Sequence, residues 1–216
     1  FIEIDGKYID LNLKPGEQAQ DLPTIKHFRS NVDTYFKQVQ QSDVVILTLG
    51  MIECWFDDKY KIVLNQPPHP KATKKEPSRF KFCILELEDI LSYMRKSIEL
   101  LQNSGIKHIF ITTSPVALAR TFTSDDVITA NCVSKSTLRV ACDILVNEHD
   151  NVHYFPSYET VIYNNTNLCW ENDRGHASEY VVSRIINEFV SRHVEGATRK
   201  GFEDAETNEP TELEVA

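Results

Sequence analysis

Two short runs of apolar, β-branched residues constrain the fold of this chain more than any other feature. The first run, "VVIL" at residues 44–47, is closed by Gly50, and the second, "IKHIFIT" at residues 106–112, is closed by Pro115. Continuous runs of this length are typical of strands in a parallel sheet that is buried on both faces. Residues 152–155 predict a third strand of the same kind.

Amphipathic helices separate these predicted strands. Apolar side chains recur at helical spacing from Ile25 to Val39, from Leu87 to Leu101, from Leu138 to Val146 and from Val181 to Val190. Strands that alternate with helices of this length indicate βαβ units. We therefore predict an α/β fold, a three-layer α/β/α sandwich around a mainly parallel sheet.

Finer features of the pattern give local predictions. Thr24 is a candidate cap for the first helix, and residues 103–105 supply a stop for the second. The opening "FIEIDGKYID" predicts a short hairpin that turns at residues 5–6. Residues 55–82 contain four prolines and predict an irregular segment, within which the basic cluster "HPKATKK" at residues 69–75 reads as a solvated loop.

The domain prediction follows from where this pattern stops. Residues 1–196 are expected to form a single domain, because strand and helix signals run through most of that length. Residues 197–216 are polar, acidic and without periodicity, so we predict a disordered tail.

Charge and composition exclude several classes of function. A formal net charge of -9 over 216 residues argues against nucleic acid as the partner, since phosphates are held by clustered Lys and Arg. No apolar run approaches the roughly 20 residues that span a bilayer, so no membrane partner is expected. Neither G-x-x-x-x-G-K-[ST] nor G-x-G-x-x-G occurs, which removes the commonest nucleotide-binding interpretations.

The cysteines indicate a reducing compartment. The chain has five, and they are scattered without a C-x-x-C pair. This pattern predicts neither a zinc site nor a disulfide framework, and we expect no metal, no cofactor and a cytoplasmic location.

Loops beyond the carboxyl ends of parallel strands are where such sheets place their sites. Gly50 and Glu53 follow the first strand, where Gly50 could expose a backbone N–H to a ligand or make a plain turn. Ser114 follows the second strand as a substrate-binding hydroxyl, a turn residue or, least favoured, a nucleophile. Asn131 and the hydroxyl-rich residues 134–136 predict a helix start, which caps the helix or binds an anion.

The stretch "CWENDRGHASEY" at residues 169–180 holds the most specific pair of side chains. Asp173 and His176 lie three residues apart, just before the last predicted helix. In a serine hydrolase, an acid fixes the histidine tautomer while the imidazole accepts the nucleophile's proton. The alternative is a solvated histidine beside an aspartate that serves the helix start.

Five blocks occur in a fixed order along the chain: "VVILTLGMIECW", "IFITTSPVAL", "ANCVSKSTLRVA", "YFPSYETV" and "DRGHAS". Together they resemble the GSCFA domain family, which is related to the SGNH hydrolases. The resemblance covers roughly residues 24–194. It implies that Asp173 is the orienting acid and His176 the general base, and that Gly50 and Glu53 lie near the oxyanion block. Ile52 stands where SGNH enzymes carry an asparagine.

This resemblance implies an ester hydrolase or acyltransferase that acts on an acylated small molecule or glycan. The G-S-C-F-A motif that would carry the nucleophilic serine does not occur in the sequence, which starts at Phe1. We therefore expect an N-terminally truncated domain that lacks its first strand or strands and is inactive as this fragment. The alternative is a non-catalytic binding or scaffold module. The hydrolase hypothesis predicts that Asp173 and His176 share a cleft with Glu53 and Ser114.

Overall fold

The structure is a computed structural model that describes residues 1–12, 19–64, 66–173 and 175–194. The predicted tail at residues 197–216 lies outside the described residues. The chain divides into two compact units, Phe1–Pro156 and a second that begins at Ser157. The elements in chain order are β1 (Ile2–Ile4), β2 (Lys7–Ile9), α1 (Leu22–Lys37), β3 (Val44–Leu49), β4 (Glu53–Asp57), β5 (Ile62–Leu64), α2 (Pro70–Lys75), β6 (Phe80–Ile84), α3 (Leu87–Asn103), β7 (His108–Thr113), α4 (Val127–Glu148), β8 (Val152–Tyr154), α5 (Ser157–Ile162), α6 (Thr166–Cys169) and α7 (Glu179–His193).

A parallel sheet of order β3-β7-β8 forms the centre of the first unit and confirms the α/β prediction. Ile109 and Ile111 of β7 are fully buried, and they pack in one cluster with apolar side chains of α3 and α4. The prediction that the first strand is buried on both faces was wrong. β3 pairs with β7 alone among the described strands, and Val44 and Ile46 are each 42% exposed.

A second, antiparallel sheet of order β5-β4-β6 occupies the segment predicted to be irregular. That prediction was wrong because the four prolines lie between the strands, while β4 and β6 carry aromatic residues and β5 is aliphatic. The prediction of a solvated loop at residues 69–75 was also wrong. It is the helix α2, which has Pro70 in its first turn and the ring of His69 accepting from the N–H of Lys71 at 3.1 Å.

Aspartates cap two helices whose starts were misplaced from the sequence. Asp21 caps α1 and accepts from both the N–H and the hydroxyl of Thr24, so Thr24 is not the cap. Asp126 caps α4, which begins seven positions before Ser134, so Asn131 and residues 134–136 lie inside the helix and are not its start. In both cases the capping residue is an aspartate just before the first helical residue, and its carboxylate accepts from the N3 or N2 amide of that helix.

The hairpin and the helix stop were predicted correctly. Strands β1 and β2 pair through a turn in which Asp5 and Gly6 both have positive φ, as the two-residue turn requires. Helix α3 ends at Asn103, and Gly105 follows it with φ +88. The second unit contains α5, α6 and α7 around a small core of Val161, Cys169 and Val181.

A buried ion pair ties the antiparallel sheet together. Asp57, fully buried at the end of β4, accepts from Nε of Arg79 at 2.9 Å and from Nη2 at 2.6 Å. Burial raises the pKa of Asp57, but the hydrogen bonds from Arg79 outweigh it and leave the pKa below its usual value. The bidentate geometry gives the pair both strength and direction.

Replacing Arg79 by methionine should destabilise the protein strongly. The change leaves the Asp57 carboxylate buried without its cation, which costs about 3–5 kcal/mol in such pairs. Urea unfolding of the Arg79→Met variant measures this loss. Lys107→Met, which breaks the exposed pair with Asp43, is the control and should have a much smaller effect. Equal losses in the two variants would show that the buried pair has no special role.

Candidate functional site

Asp173 and His176 form a hydrogen-bonded pair in the second unit. Oδ2 of Asp173 lies 2.6 Å from Nδ1 of His176. Both side chains are open to solvent, with 54% and 73% of their surfaces exposed. An acid on Nδ1 leaves Nε2 as the ring nitrogen that the carboxylate does not hold, which is the arrangement that a general base needs.

The loop around this pair is closed by its own hydrogen bonds. Trp170 and Ala177 form an antiparallel bridge, and the N–H of Glu171 donates to the carbonyl of His176 at 2.9 Å. Ser178 caps α7 through the N–H of Val181. Helix α7 is therefore capped by Ser178 and not by Asp173. The Asp173 carboxylate instead accepts hydrogen bonds from its own loop and from His176.

Asp173 is held ionised by its neighbours. Its Oδ1 accepts from the N–H groups of Gly175 and His176 at 2.9 and 3.0 Å. The side-chain bond from His176, followed by these two backbone bonds, lowers the pKa of Asp173 to about 2. A carboxylate that stays charged over the physiological range can orient the imidazole throughout it.

In the first unit, two residues of α4 hold the segment that follows β3. The N–H of Ile52 donates to the hydroxyl of Ser134 at 3.0 Å, and Nζ of Lys135 donates to the carbonyl of Gly50 at 2.7 Å. Ser134 is fully buried and Lys135 is only 2% exposed. A buried ammonium group needs acceptors, and the Gly50 carbonyl supplies one.

The hydrogen bond from Lys135 to the Gly50 carbonyl fixes the orientation of the peptide group between Gly50 and Met51. Because a trans peptide sets C=O and N–H in opposite directions, the N–H of Met51 points away from Lys135. It donates to no group within the described part of the chain. Met51 is 54% exposed, and a Cβ added at Gly50 would meet no described atom within 4 Å. The side of this segment that faces away from Lys135 is therefore open, and the Met51 N–H lies on it as a hydrogen-bond donor.

Glu53 anchors a neighbouring loop. Its Oε1 accepts from the hydroxyl of Thr121 at 2.5 Å, and its Oε2 accepts from the N–H of Phe122 at 3.0 Å. The ring of Phe122 packs edge-on against Trp55, with 5.3 Å between the ring centroids. Both carboxylate oxygens are thus engaged in fixing residues 121–122, a structural role that the position of Glu53 after the strand did not reveal.

The other two candidates also make backbone contacts. The side-chain oxygen of Asn131 accepts from the N–H of Leu118 at 3.0 Å. The N–H of Ser114 donates to the carbonyl of Leu49 at 2.8 Å, and its hydroxyl accepts from Val116 at 3.3 Å. The structure therefore places Gly50 and Ser114 at the carboxyl edge of the parallel sheet, and Asn131 of α4 holds Leu118 in the loop that follows Ser114.

The two groups of candidates belong to different units. Asp173 and His176 lie in the unit that begins at Ser157, and Gly50, Glu53, Ser114 and Asn131 lie in the other. That Asp173 and His176 share a cleft with Glu53 and Ser114 stays a prediction.

Sequence reasoning missed Lys135 as a buried side chain. A signal was present: Lys135 shares its helical stripe with Leu138, Cys142 and Leu145, all buried. A lysine within an apolar stripe is a candidate for a buried, hydrogen-bonded amine.

Two features are absent from the described ranges. Within them no three His, Cys, Asp or Glu side chains are grouped so as to hold a metal ion. Nor does any helix there combine the length and the apolar character that crossing a membrane requires.

Fold and site together define an α/β protein that carries a carboxylate–imidazole pair in a self-closed loop. The sequence model of the GSCFA family matches residues 8–189, and the chain belongs to that family. No curated protein and no solved structure matches the chain. The resemblance read from the five sequence blocks is thus confirmed at the level of the family.

The contact between Asp173 and His176 predicts a specific titration. The Asp173 carboxyl should titrate near a pKa of about 2. Because this pKa is depressed, its contribution to loop stability is complete above pH 4, near the usual pKa of about 3.9, and is lost as the pH falls through about 2. In His176→Ala the pKa should rise, but it should stay below the usual value, since two backbone bonds remain. Carboxyl-carbon NMR measures both values, and an unchanged titration in the variant would contradict the contact.

Burial of Lys135 predicts a pH dependence of stability. Burial lowers the pKa of Lys135 to about 8. Between that pH and the unfolded value of about 10.4 the unfolded chain binds more protons, so the free energy of unfolding should rise with pH. Urea unfolding from pH 7 to pH 10 should show this rise in wild type relative to Lys135→Met. Lys96→Met removes an exposed lysine and controls for net charge, and parallel curves for wild type and Lys135→Met would refute the prediction.

Proposed function

We propose that this protein is an SGNH-like ester hydrolase or acyltransferase domain in which His176 is the general base and Asp173 orients it. The observation that carries the proposal is the 2.6 Å contact between Oδ2 of Asp173 and Nδ1 of His176, a side chain that is 73% exposed. This is the acid–base half of a hydrolytic triad, and it stands at the D-x-x-H block of the sequence.

In the proposed reaction, a serine hydroxyl attacks the acyl carbon of an ester while His176 accepts its proton. The tetrahedral intermediate collapses when His176 returns that proton to the leaving alcohol. Water then releases the acyl group in a hydrolase, and a second hydroxyl accepts it in a transferase. The nucleophile expected from the family is the serine of the G-S-C-F-A motif, which does not occur in these 216 residues.

Backbone N–H groups of the Gly50 segment are the proposed donors to the oxyanion. The Lys135 contact supports Met51 in particular, because it turns that N–H outward, and a donor fixed before the reaction costs no reorganisation. SGNH enzymes use an asparagine side chain where this chain has Ile52. A backbone donor one residue earlier would take over that function.

The substrate proposed is an acylated small molecule or glycan. The net charge of -9 supports a neutral substrate over a polyanion. A three-layer sandwich is the proposed arrangement of the complete domain. The proposed location is the cytoplasm, where the five free cysteines would stay reduced.

A second candidate is a binding or scaffold module that keeps the fold without catalysis. The observation that favours it is Ile52. This side chain is 5% exposed within the core, so the position that supplies a side-chain oxyanion donor in SGNH enzymes supplies none. A module of this kind would bind its ligand without covalent chemistry.

Labelling with a fluorophosphonate separates the two candidates. The protein expressed from its complete coding sequence should be labelled at one serine and should hydrolyse p-nitrophenyl acetate. His176→Ala should abolish both reactions, because the serine loses its base. Asp173→Asn should lower kcat by about 10²–10⁴ through the wrong imidazole tautomer and a lost charge.

His27→Ala removes an exposed histidine of α1 and is the matched control, which should keep full activity. Labelling that persists in His176→Ala would exclude His176 as the base. A folded wild type that is neither labelled nor active would favour the binding module.

A further inference from the structure

Cys54 and Cys83 face each other across β4 and β6. They are direct partners in the antiparallel register. Two residues to one side, the N–H of Leu85 donates to the carbonyl of Ile52 at 2.9 Å. Four residues to the other side, the N–H of Asp58 donates to the carbonyl of Arg79 at 2.9 Å. Hydrogen-bonded pairs recur at every second position of an antiparallel ladder, so the cysteines occupy a hydrogen-bonded pair.

This position brings the two backbones to a distance that a disulfide can bridge. Hydrogen-bonded pairs have Cα atoms about 5.5 Å apart, and most disulfides join Cα atoms about 5.5–6 Å apart. Their Cβ atoms are about 4.5–5.5 Å apart, somewhat more than the mean of about 3.8 Å in disulfides. A bond here would pull the two strands together, and strain of that kind makes a disulfide easy to reduce.

The surroundings leave both thiols within reach of a small reagent. Each is partly exposed, and the Cys83 thiol lies 3.8 Å from the carbonyl of Lys81. Burial raises the pKa of Cys54, and the neighbouring Cys83 raises it further. Cys54 is therefore a slow nucleophile. A slow reaction at Cys54 would keep the two cysteines reduced until the oxidant is abundant.

We propose that Cys54 and Cys83 form a reversible intramolecular disulfide when the protein meets a small-molecule disulfide such as oxidised glutathione. One thiolate attacks a sulfur of the oxidant and releases one reduced thiol, which gives a mixed disulfide. The second cysteine loses its proton and attacks the protein sulfur of that mixed disulfide, which releases the second reduced thiol. The two protein thiols are oxidised, and one oxidant molecule is reduced to two thiols.

A disulfide between Cys54 and Cys83 would act on the segment that carries the candidate site residues Gly50 and Glu53. Cys54 directly follows Glu53, whose carboxylate fixes Thr121 and Phe122. Drawing β4 toward β6 shifts the strand from which Glu53 projects. We expect the amide of Phe122 to report the oxidation. The inference concerns the first unit alone and does not depend on the proposed esterase activity.

Mass spectrometry in glutathione buffers tests the proposal. Wild-type protein equilibrated with increasing oxidised glutathione should lose two hydrogens and two of its five thiols, and peptide mapping should join Cys54 to Cys83. Excess reduced glutathione should reverse the change. The Phe122 amide resonance should shift in the oxidised wild type and return on reduction.

Cys83→Ser should prevent the loss of two hydrogens and leave Cys54 to form only a mixed disulfide with glutathione. Cys132→Ser removes an exposed helical thiol and should leave the disulfide intact. The proposal is overturned if Cys132 becomes fully glutathionylated in folded wild type while Cys54 and Cys83 stay reduced. It is equally overturned if the mapped bond joins any other pair.

Discussion

Burial of β7 between β3 and β8, beneath α3 and α4, is the packing on which the first unit depends. Ile109 and Ile111 are fully buried, and the strand pairs on both of its sides. Each fully buried aliphatic side chain contributes about 1.5–3 kcal/mol, which is large against the 5–15 kcal/mol that stabilises a typical domain. The polar segments that follow β3 and β7 are brought together because their strands are neighbours in this sheet.

Lys135 connects that core to the candidate site. Its aliphatic stem follows the buried stripe of α4, and its amine reaches the carbonyl of Gly50. With Ser134 one residue before it, the helix holds two backbone polar groups of the segment after β3, the carbonyl of Gly50 and the N–H of Ile52. The conformation of that segment is therefore determined by α4, more than eighty residues further along the chain.

Periodicity predicted the elements whose signal is local and repeated. The stripe of α3, its stop near Gly105 and the hairpin at Asp5 and Gly6 could be read directly. Prediction failed where distant partners decide the outcome. The strands between residues 53 and 84 become a sheet only when they pair with one another, and four prolines between them obscured that signal. The exposed side chains of β3 likewise depend on what packs against the strand.

The same distinction applies to the candidate residues. Asp173 and His176 were recognisable because three residues of spacing bring them into contact within one loop. Glu53 and Asn131 were identified by position, yet the backbone groups they hold lie elsewhere in the sequence. No pattern along the chain indicated that Thr121, Phe122 and Leu118 would be their partners.

The closed loop around Asp173 and His176 has a consequence for how such a domain changes over evolutionary time. The hydrogen bonds that fix the carboxylate and the imidazole come from a stretch of about ten residues, from Leu168 to Ser178. Substitutions in the sheet or in the loops that would recognise a ligand can therefore accumulate without disturbing the internal geometry of the pair. The acid–base geometry is inherited as one short segment, while the surfaces around it are free to diversify.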